Sequence, residues 1–416
     1  MGQNSGDCAA DGKRVAAGWR TRLFSDIVKI IPFFGSVAEF MRGSNGTVES
    51  DDPQIKEAAR PLSIVITSAG GARFGVKHDT EMRNAVYDRI ISIVGEALGS
   101  ATAPSEISEE EWRAALGGLG IYFEYKEPVR LSILDGWLGV RKPDTTADAQ
   151  IRRLVVAIGE DRSRIYYQDH ESGKFIGSDT SSAAGKAQEL EIYSANGAVF
   201  AFESGTAGAE NAPYLLIMQE RTHPEIRSAA AGSAAEQFEI SLGALGHGNE
   251  TYATFTEPDG SVLRVGTQFN ISADQHGRVV YRLSETMQPG EDQRVYSTGE
   301  IIERARILIA DTIGGSCGSA EVFFERIEYV TGDAASVYFS YYIAGGCVFL
   351  FDEGYAARVT LISGVVTEAE LSFRNYSFTG DYLDLLPEVQ ALAAAGGEFT
   401  LYYSDTGAER LQPFWS

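Results

Sequence analysis

Five histidines are the residues of this chain best suited to acid–base or metal chemistry. They are His78, His170, His223, His247 and His276. Each lies beside turn-forming or polar residues, and no two have the spacing of metal ligands on one helix. Because catalytic and metal sites need several converging groups, the sequence predicts solvated loop histidines, with no catalytic and no metal-ligating residue among them.

A stretch with glycines on either side of a serine and a cysteine covers residues 314–318. A nucleophile elbow places such a serine on a turn that leads from a strand into a helix. Here the stretch follows a predicted helix and precedes a predicted strand. We therefore interpret it as the end of a helix and a loop, without a catalytic nucleophile.

Three further patterns that could bind a cofactor or catalyse a reaction lack the required spacing. Residues 243–248 are rich in glycine but match neither a phosphate loop nor a dinucleotide fingerprint. Residues 259–260 and 274–277 are typical of hairpin turns, because the spaced carboxylates of a calcium loop are missing. Residues 109–111 are three glutamates in the predicted first turn of a helix, where negative charge has a structural role. The sequence thus predicts no cofactor.

The three cysteines, Cys8, Cys317 and Cys347, are too few for a disulfide framework. Cys317 and Cys347 could meet if a helix packs over the hairpin that contains Cys347, but buried free thiols are the favoured interpretation. The chain has no Cys-x-x-Cys pair, so the pattern supports neither a structural zinc site nor a thioredoxin-like site.

Charge excludes two classes of partner. The chain has 35 Lys and Arg against 58 Asp and Glu, a net charge of −23. Nucleic-acid binding needs clustered positive charge, and an anionic membrane surface repels an acidic protein. The apolar run at 23–40 is interrupted by Asp26, Lys29, Pro32 and Glu39, so it predicts neither a membrane span nor a signal peptide.

Element patterns predict a multi-domain α+β protein with twisted antiparallel sheets and helices packed on one face. Ser297 and Glu300 form a capping box that starts a helix, and residues 344–346 form a hairpin turn. We predict an N-terminal extension or linker at 1–58, with an amphipathic helix at 19–41. An N-terminal α+β domain at 59–205, a middle β-rich domain at 212–290 and a C-terminal α+β domain at 291–416 follow.

Several tyrosines lie on the predicted C-terminal strands, namely Tyr338, Tyr342, Tyr376, Tyr402 and Tyr403. Most are expected in the core or on a sheet face. An exposed row of them would form a protein-binding face, since tyrosine is favoured at interfaces.

The C-terminal segments together resemble the C-terminal domains of YycH/YycI-type proteins. The segments are Ser-Val-Tyr-Phe-Ser-Tyr-Tyr-Ile-Ala-Gly-Gly-Cys-Val-Phe at 336–349, Ala-Arg-Val-Thr at 357–360, residues 364–373, Leu-Leu-Pro at 385–387, and Leu-Gln-Pro-Phe-Trp at 411–415. The turn at 277–281 is similar to their middle domain. These motifs are structural, and the likeness is expected to cover about the last 200 residues.

The resemblance implies a non-enzymatic regulator of a membrane sensor histidine kinase in Gram-positive bacteria. Such a protein is extracytoplasmic and membrane-associated in its full-length form, although no anchor or signal is visible in this chain. The implied partner is the kinase or a related regulatory protein, and a homodimer or heterodimer remains open. The alternatives are a ligand-binding or hydrolytic enzyme with a site dispersed in sequence, or a module that binds peptide or lipid in a concave sheet.

Overall fold

The computed structural model describes residues 53–416 except 103, 141–147, 160–161, 182–184, 207–208, 210–214, 218–222, 285–294, 332–333, 351–353 and 396–398. The predicted extension up to residue 52, its amphipathic helix and Cys8 therefore lie outside the described residues. All of the described residues belong to one compact unit.

The first part of the chain forms a seven-stranded antiparallel sheet, in the order β2-β1-β4-β5-β6-β7-β3. Its strands are β1 (Ser63–Thr67), β2 (Arg73–Val76), β3 (Ser105–Glu106), β4 (Gly120–Arg130), β5 (Gln150–Ala157), β6 (Ser163–Asp169) and β7 (Phe175–Thr180). Strand β1 is buried along its whole length, and β4 and β5 each contain a run of consecutive buried residues. This sheet is part of the predicted N-terminal domain.

Two helices of this part start where capping residues place them. The helices of this part are α1 (Pro53–Ala58), α2 (Thr80–Gly99), α3 (Glu109–Gly117), α4 (Leu131–Trp137) and α5 (Ala187–Leu190). Asp79 caps α2, and Ser108 accepts a hydrogen bond from the Glu111 N–H at the start of α3, as predicted. Met82 is 47% exposed because it lies in the first turn of α2, before the buried residues of that helix begin at Arg83.

The middle of the chain supplies two small sheets and one helix. Strand β8 (Ala198–Phe200) pairs with β9 (Leu215–Ile217), and β10 (His223–Ala230) pairs with β20 (Arg374–Leu383). The stretch at 232–248 is rich in small residues and contains α6 (Ala234–Ala244). Ser233 and Glu236 form a capping box at the start of this helix.

The second large sheet has eleven strands, and every pair in it is antiparallel except the parallel pair of β17 and β21. Its strands are β11 (Tyr252–Thr256), β12 (Val262–Gly266), β13 (Phe269–Ala273), β14 (Arg278–Leu283), β15 (Glu321–Thr331), β16 (Ala334–Ile343), β17 (Gly346–Leu350), β18 (Ala357–Ile362), β19 (Val365–Ser372), β21 (Leu401–Asp405) and β22 (Gln412–Trp415). Strand β14 pairs with β19, so this sheet joins residues of the predicted middle and C-terminal domains. The division into domains stays a prediction.

Two helices complete the C-terminal part. Helix α7 (Thr298–Asp311) has the predicted capping box of Ser297 and Glu300, and a 3-10 turn at Ile313–Ser316 follows it. Helix α8 (Glu388–Ala395) begins directly after Pro387. Helix α7 packs on β15, β16 and β18, and α6 packs on β13. The predicted α+β fold, with antiparallel sheets and helices on one face, is confirmed.

The hairpin between β16 and β17 shows how local residues set the register. Ile343 pairs with Gly346, so Ala344 and Gly345 form a two-residue turn. Both have positive φ, 49° and 80°, as the tight hairpin turn requires. A Cβ at position 345 would lie 2.0 Å from the Nδ1 atom of His78, so this glycine also permits a close approach.

Candidate interaction surface

Three of the five histidines contact other parts of the fold. His223 is buried, His78 contacts Glu388, and the Nε2 atom of His247 lies 2.8 Å from the Tyr281 hydroxyl. The prediction of solvated loop histidines is wrong for these three, because distant residues fold over the turns beside them. It is confirmed for His170 and His276, which are exposed.

A buried carboxylate joins two basic residues near the end of β2. An oxygen of Glu388 lies 3.0 Å from the Lys77 ammonium and 2.7 Å from the His78 Nε2 atom. Glu388 is only 6% exposed. A histidine–carboxylate pair can perform acid–base chemistry where a substrate reaches it. Here the pair holds the end of β2 against the start of α8.

Two cavities could be considered as binding sites. One, of about 390 Å³, is lined by aromatic residues such as Phe323 and Phe324 and by Cys317. The other, of about 320 Å³, lies between the two large sheets and is lined by Lys77, but neither His78 nor Glu388 is among its lining residues. Among the residues that the structure describes, no three His, Cys, Asp or Glu side chains are placed to hold a metal ion.

Both described cysteines are free and buried, as predicted. The Cys317 thiol donates hydrogen bonds to the carbonyls of Gly314 and Ala320. Burial raises its pKa to about 11. Burial also raises the pKa of the Cys347 thiol, against the opposing charge of Lys126. Since the thiolate is the nucleophile, both environments disfavour nucleophilic reactivity.

The strand tyrosines lie mainly in the core. Tyr342, Tyr376 and Tyr403 are at most 3% exposed, and Tyr338 is 8% exposed. The interpretation of these side chains as core or sheet-face residues is confirmed, and they form no exposed row.

The large sheet has one apolar and one polar face. Residues such as Val279, Tyr281 and Val359 are buried on the face that α6 and α7 cover. Side chains alternate along each strand, so the intervening residues lie on the opposite face. We call this opposite face, over five neighbouring strands, the ladder face. Its members are Arg278, Arg282, Arg326, Glu328, Tyr338, Arg358, Glu368 and Glu370.

Opposite charges on adjacent strands pair across the ladder face. Arg282 donates to Glu368 at 3.0 Å, and Arg278 donates to Glu370 at 3.1 Å. The guanidinium of Arg358 lies between both glutamates, 2.5 Å from Glu370 and 3.5 Å from Glu368. Cross-strand pairs of opposite charge stabilise a sheet. They also fix an alternating charge pattern on a surface where the Arg282 side chain is 65% exposed.

The ladder face continues onto β15. The Arg326 guanidinium lies 3.9 Å from the centroid of the Tyr338 ring, and its Nε atom donates to Glu328 at 2.7 Å. The Tyr338 hydroxyl donates to the same carboxylate at 3.0 Å. These two hydrogen bonds hold the pKa of Glu328 below its ordinary value, chiefly through Arg326. Arginine is enriched at protein interfaces, and the Arg326 side chain is 43% exposed, which makes this face the candidate interaction surface.

The glutamates and arginines of the ladder face were not singled out from the sequence. The alternation of charged and apolar residues, as in Glu368-Ala-Glu370-Leu371, is the signal that could have found them. It predicts a half-buried strand but does not say which strands become neighbours, so the pairing of charges needs the fold.

Glu370 makes the stability of this face depend on pH. Burial disfavours its charged form, but hydrogen bonds from Tyr355 and Arg278 and the charge of Arg358 outweigh burial and hold the pKa of Glu370 below its ordinary value of 4.5. As pH falls, Glu370 therefore binds a proton at a higher pH in the unfolded chain than in the folded protein. The stabilisation is therefore complete above pH 4.5 and is lost as pH falls through the folded-state pKa.

We expect Glu370→Gln to lower the free energy of unfolding by about 1–3 kcal/mol at neutral pH, because it removes charged hydrogen bonds. It should also flatten the loss of stability between about pH 5 and pH 3. Urea unfolding at several pH values measures both effects. Glu239→Gln, at an exposed position of α6, is the control. Equal pH slopes for Glu370→Gln and the unaltered chain would contradict the assignment.

Together the described elements define an α+β protein whose large sheet is covered by helices on one face and exposes paired charges on the other. No helix within the described ranges is both long enough and apolar enough to cross a membrane.

The fold is similar to that of YycH from Bacillus subtilis. The superposition has a TM-score of 0.58 and 13% sequence identity, and it covers 89% of this chain and 96% of that chain. The predicted resemblance is thereby confirmed at the level of the fold, and it extends well beyond the last 200 residues. The sequence itself matches no protein-family model and no curated protein.

Proposed function

We propose that this chain is a non-enzymatic, extracytoplasmic regulatory protein that acts by direct contact on a membrane sensor histidine kinase. The observation that carries the proposal is the YycH-like fold, which covers 89% of this chain and 96% of the YycH chain. Kinase regulation is the role that the resemblance to YycH/YycI-type proteins implies. In this proposal the full-length protein is membrane-associated, and a related regulator is the alternative partner.

The ladder face is the proposed contact surface. It combines paired charges with exposed arginine side chains, such as Arg282 and Arg326, on a sheet. Charges at an interface set partner choice and the association rate. Rigid positions also reduce the entropy that a contact costs. The proposal therefore assigns recognition of the partner to the order of charges across β14 and β19.

A swap of one charge pair tests this surface without removing the pair. In Arg282→Glu/Glu368→Arg the intramolecular pair is retained, but the order of charges is reversed. We expect a modest loss of thermal stability, because exposed ion pairs contribute roughly 0–1 kcal/mol and the arginine introduced at position 368 lies beside Arg358, which contacts Glu368 at 3.5 Å in the unaltered chain. Affinity for the kinase should fall about tenfold or more, since the partner now meets like charges.

The matched control is the swap Glu106→Lys/Lys174→Glu, another exposed pair, at 2.7 Å. Each protein is co-expressed with the sensor kinases of its source, and co-purification and kinase autophosphorylation in membranes are measured. Co-purification with a kinase, altered phosphorylation and loss of both only in the ladder-face swap would support the proposal. Absence of any kinase contact or effect would overturn the proposed function. Equal effects of both swaps would overturn the assignment to this face.

A further inference from the structure

The outer strands of the two large sheets differ in how their free edges are protected. An outer strand exposes unpaired N–H and C=O groups, and proteins usually block such edges with prolines, charges, bulges or covering segments. At β2, the Asn196 side chain both accepts from the Gly75 N–H and donates to the Gly75 carbonyl. Strand β3 has two residues, and β22 contains Pro413.

The remaining outer strands are β15 and β11. Strand β15 has two register shifts and several charged residues, among them Glu325 and Arg326. Strand β11 reads Tyr-Ala-Thr-Phe-Thr, without charge or proline, and pairs with β12 in continuous register. All five of its residues are exposed. Within the part of the chain that the structure describes, β11 is the outer strand that combines more than two residues with none of the protective features.

The side chains of β11 suit the addition of another strand. The Arg264 guanidinium lies 4.5 Å from the centroid of the Tyr252 ring and 4.7 Å from that of Phe238, which holds the edge against α6. Phe255 and Val265 are 52% and 36% exposed and share the other face of the hairpin. An incoming strand would therefore find the Tyr252 ring on one face of the sheet and the Phe255 ring on the other.

The charges on either side of β11 indicate which kind of segment could bind there. Glu250 precedes the strand, and the exposed Glu257 and Asp259 follow it. The whole chain carries a charge of −23. Antiparallel pairing of two β11 strands would bring both sets of acidic residues together, which disfavours a second copy. An extended segment flanked by lysine or arginine is complementary to these ends.

We propose that β11 is a docking edge for an extended, basic segment of another protein, which adds as a twelfth strand to the large sheet. Main-chain hydrogen bonds would supply affinity, and the flanking basic residues would supply selectivity. This surface is distinct from the ladder face, and the inference does not depend on regulation of a kinase.

The probe is the synthetic peptide Lys-Lys-Val-Thr-Val-Thr-Val-Lys-Lys, added to the full chain. We expect the bound peptide to slow amide hydrogen exchange in residues 252–256. Its binding is measured by fluorescence anisotropy. A peptide with glutamate in place of lysine tests charge, and one with alternate N-methylated amides tests main-chain pairing. Both should bind at least tenfold more weakly.

Thr254→Lys should weaken binding of the lysine peptide by a similar factor, because it places a positive charge within the edge. Gln412→Lys, at an exposed position of β22, is the matched control and should leave binding unchanged. Melting curves check that both variants fold, and the three peptides test the unaltered chain independently of any variant.

Three results would overturn the proposal. The lysine peptide could fail to bind, or the N-methylated peptide could bind equally well, which would indicate attraction by charge alone. Sedimentation could instead show a dimer that Thr254→Lys dissociates, which would make a second copy the occupant. Peptide binding is measured without a kinase. A failure of the docking-edge proposal is therefore distinguishable from a failure of the proposed function.

Discussion

Asp405→Ala is expected to lower the free energy of unfolding by about 3–5 kcal/mol, because it leaves a buried arginine without its counter-charge. Asp405 is fully buried and Arg374 is 3% exposed. The guanidinium of Arg374 donates to both oxygens of the carboxylate, each at 3.0 Å. This bidentate geometry is the strong form of the arginine–carboxylate contact.

The other partners of Asp405 explain why the loss extends beyond one ion pair. Ser228 and Tyr376 donate their hydroxyl protons to it at 2.6 and 3.0 Å, and the Gly407 N–H donates at 3.0 Å. Through these bonds Asp405 on β21 joins the two-stranded β10–β20 ribbon to the large sheet. Alanine would leave all of these donors without their acceptor in the protein interior, where unmet hydrogen bonds are costly.

Urea unfolding followed by tryptophan fluorescence measures this loss. Asp381→Ala, at an exposed position of the same ribbon, should change stability by less than about 0.5 kcal/mol. The double variant Arg374→Met/Asp405→Ala should be more stable than Asp405→Ala, because it removes the uncompensated charge. A single-variant loss below about 1 kcal/mol, or a double variant that is less stable still, would contradict this account.

The features that the sequence predicted well depend on neighbours in the chain. The capping box of Ser297 and Glu300 spans three residues, and the Ala344-Gly345 turn needs only two residues that accept positive φ. Local geometry determines both, so their residue types are sufficient evidence. The resemblance to YycH/YycI-type proteins likewise came from strand and turn motifs, and the comparison confirmed a YycH-like fold.

The features that the sequence did not predict depend on distant pairing. Ser228 and Asp405 are 177 residues apart, and His78 and Glu388 are 310 apart. Each side chain alone is an ordinary polar residue near a strand or turn. Only the order of the strands places them together, and periodicity carries no information on which strands become neighbours. The same limit applies to Arg282 and Glu368 on the ladder face.

The second large effect is expected for Glu388→Ala, again about 3–5 kcal/mol, at the contact between the two large parts of the fold. Lys77 and His78 directly follow β2 of the seven-stranded sheet, whereas Glu388 is the first residue of α8. The side chains of Lys77 and His78 are 15% and 9% exposed. Without the carboxylate, the ammonium would remain largely buried with no acidic partner at 3.0 Å.

The exposed pair of Lys174 and Glu106 offers a matched control. It joins the same two residue types at 2.7 Å, but both side chains are more than half exposed. Glu106→Ala should therefore cost less than about 1 kcal/mol. Glu388→Gln keeps a side chain that can bond to His78 but removes the charge, so its effect should lie between those of the two alanine variants.

Chemical denaturation gives the size of each loss, and hydrogen exchange shows where it acts. Glu388→Ala should speed exchange in α8 and β2 before it affects β14 or β19, because the broken contact joins only the first two elements. Equal losses for Glu106→Ala and Glu388→Ala would show that burial does not strengthen this pair. Unchanged exchange in α8 would show that Glu388 does not hold the helix. The ladder face lies on other strands, so a Glu388 variant that folds should retain the contact proposed for that face.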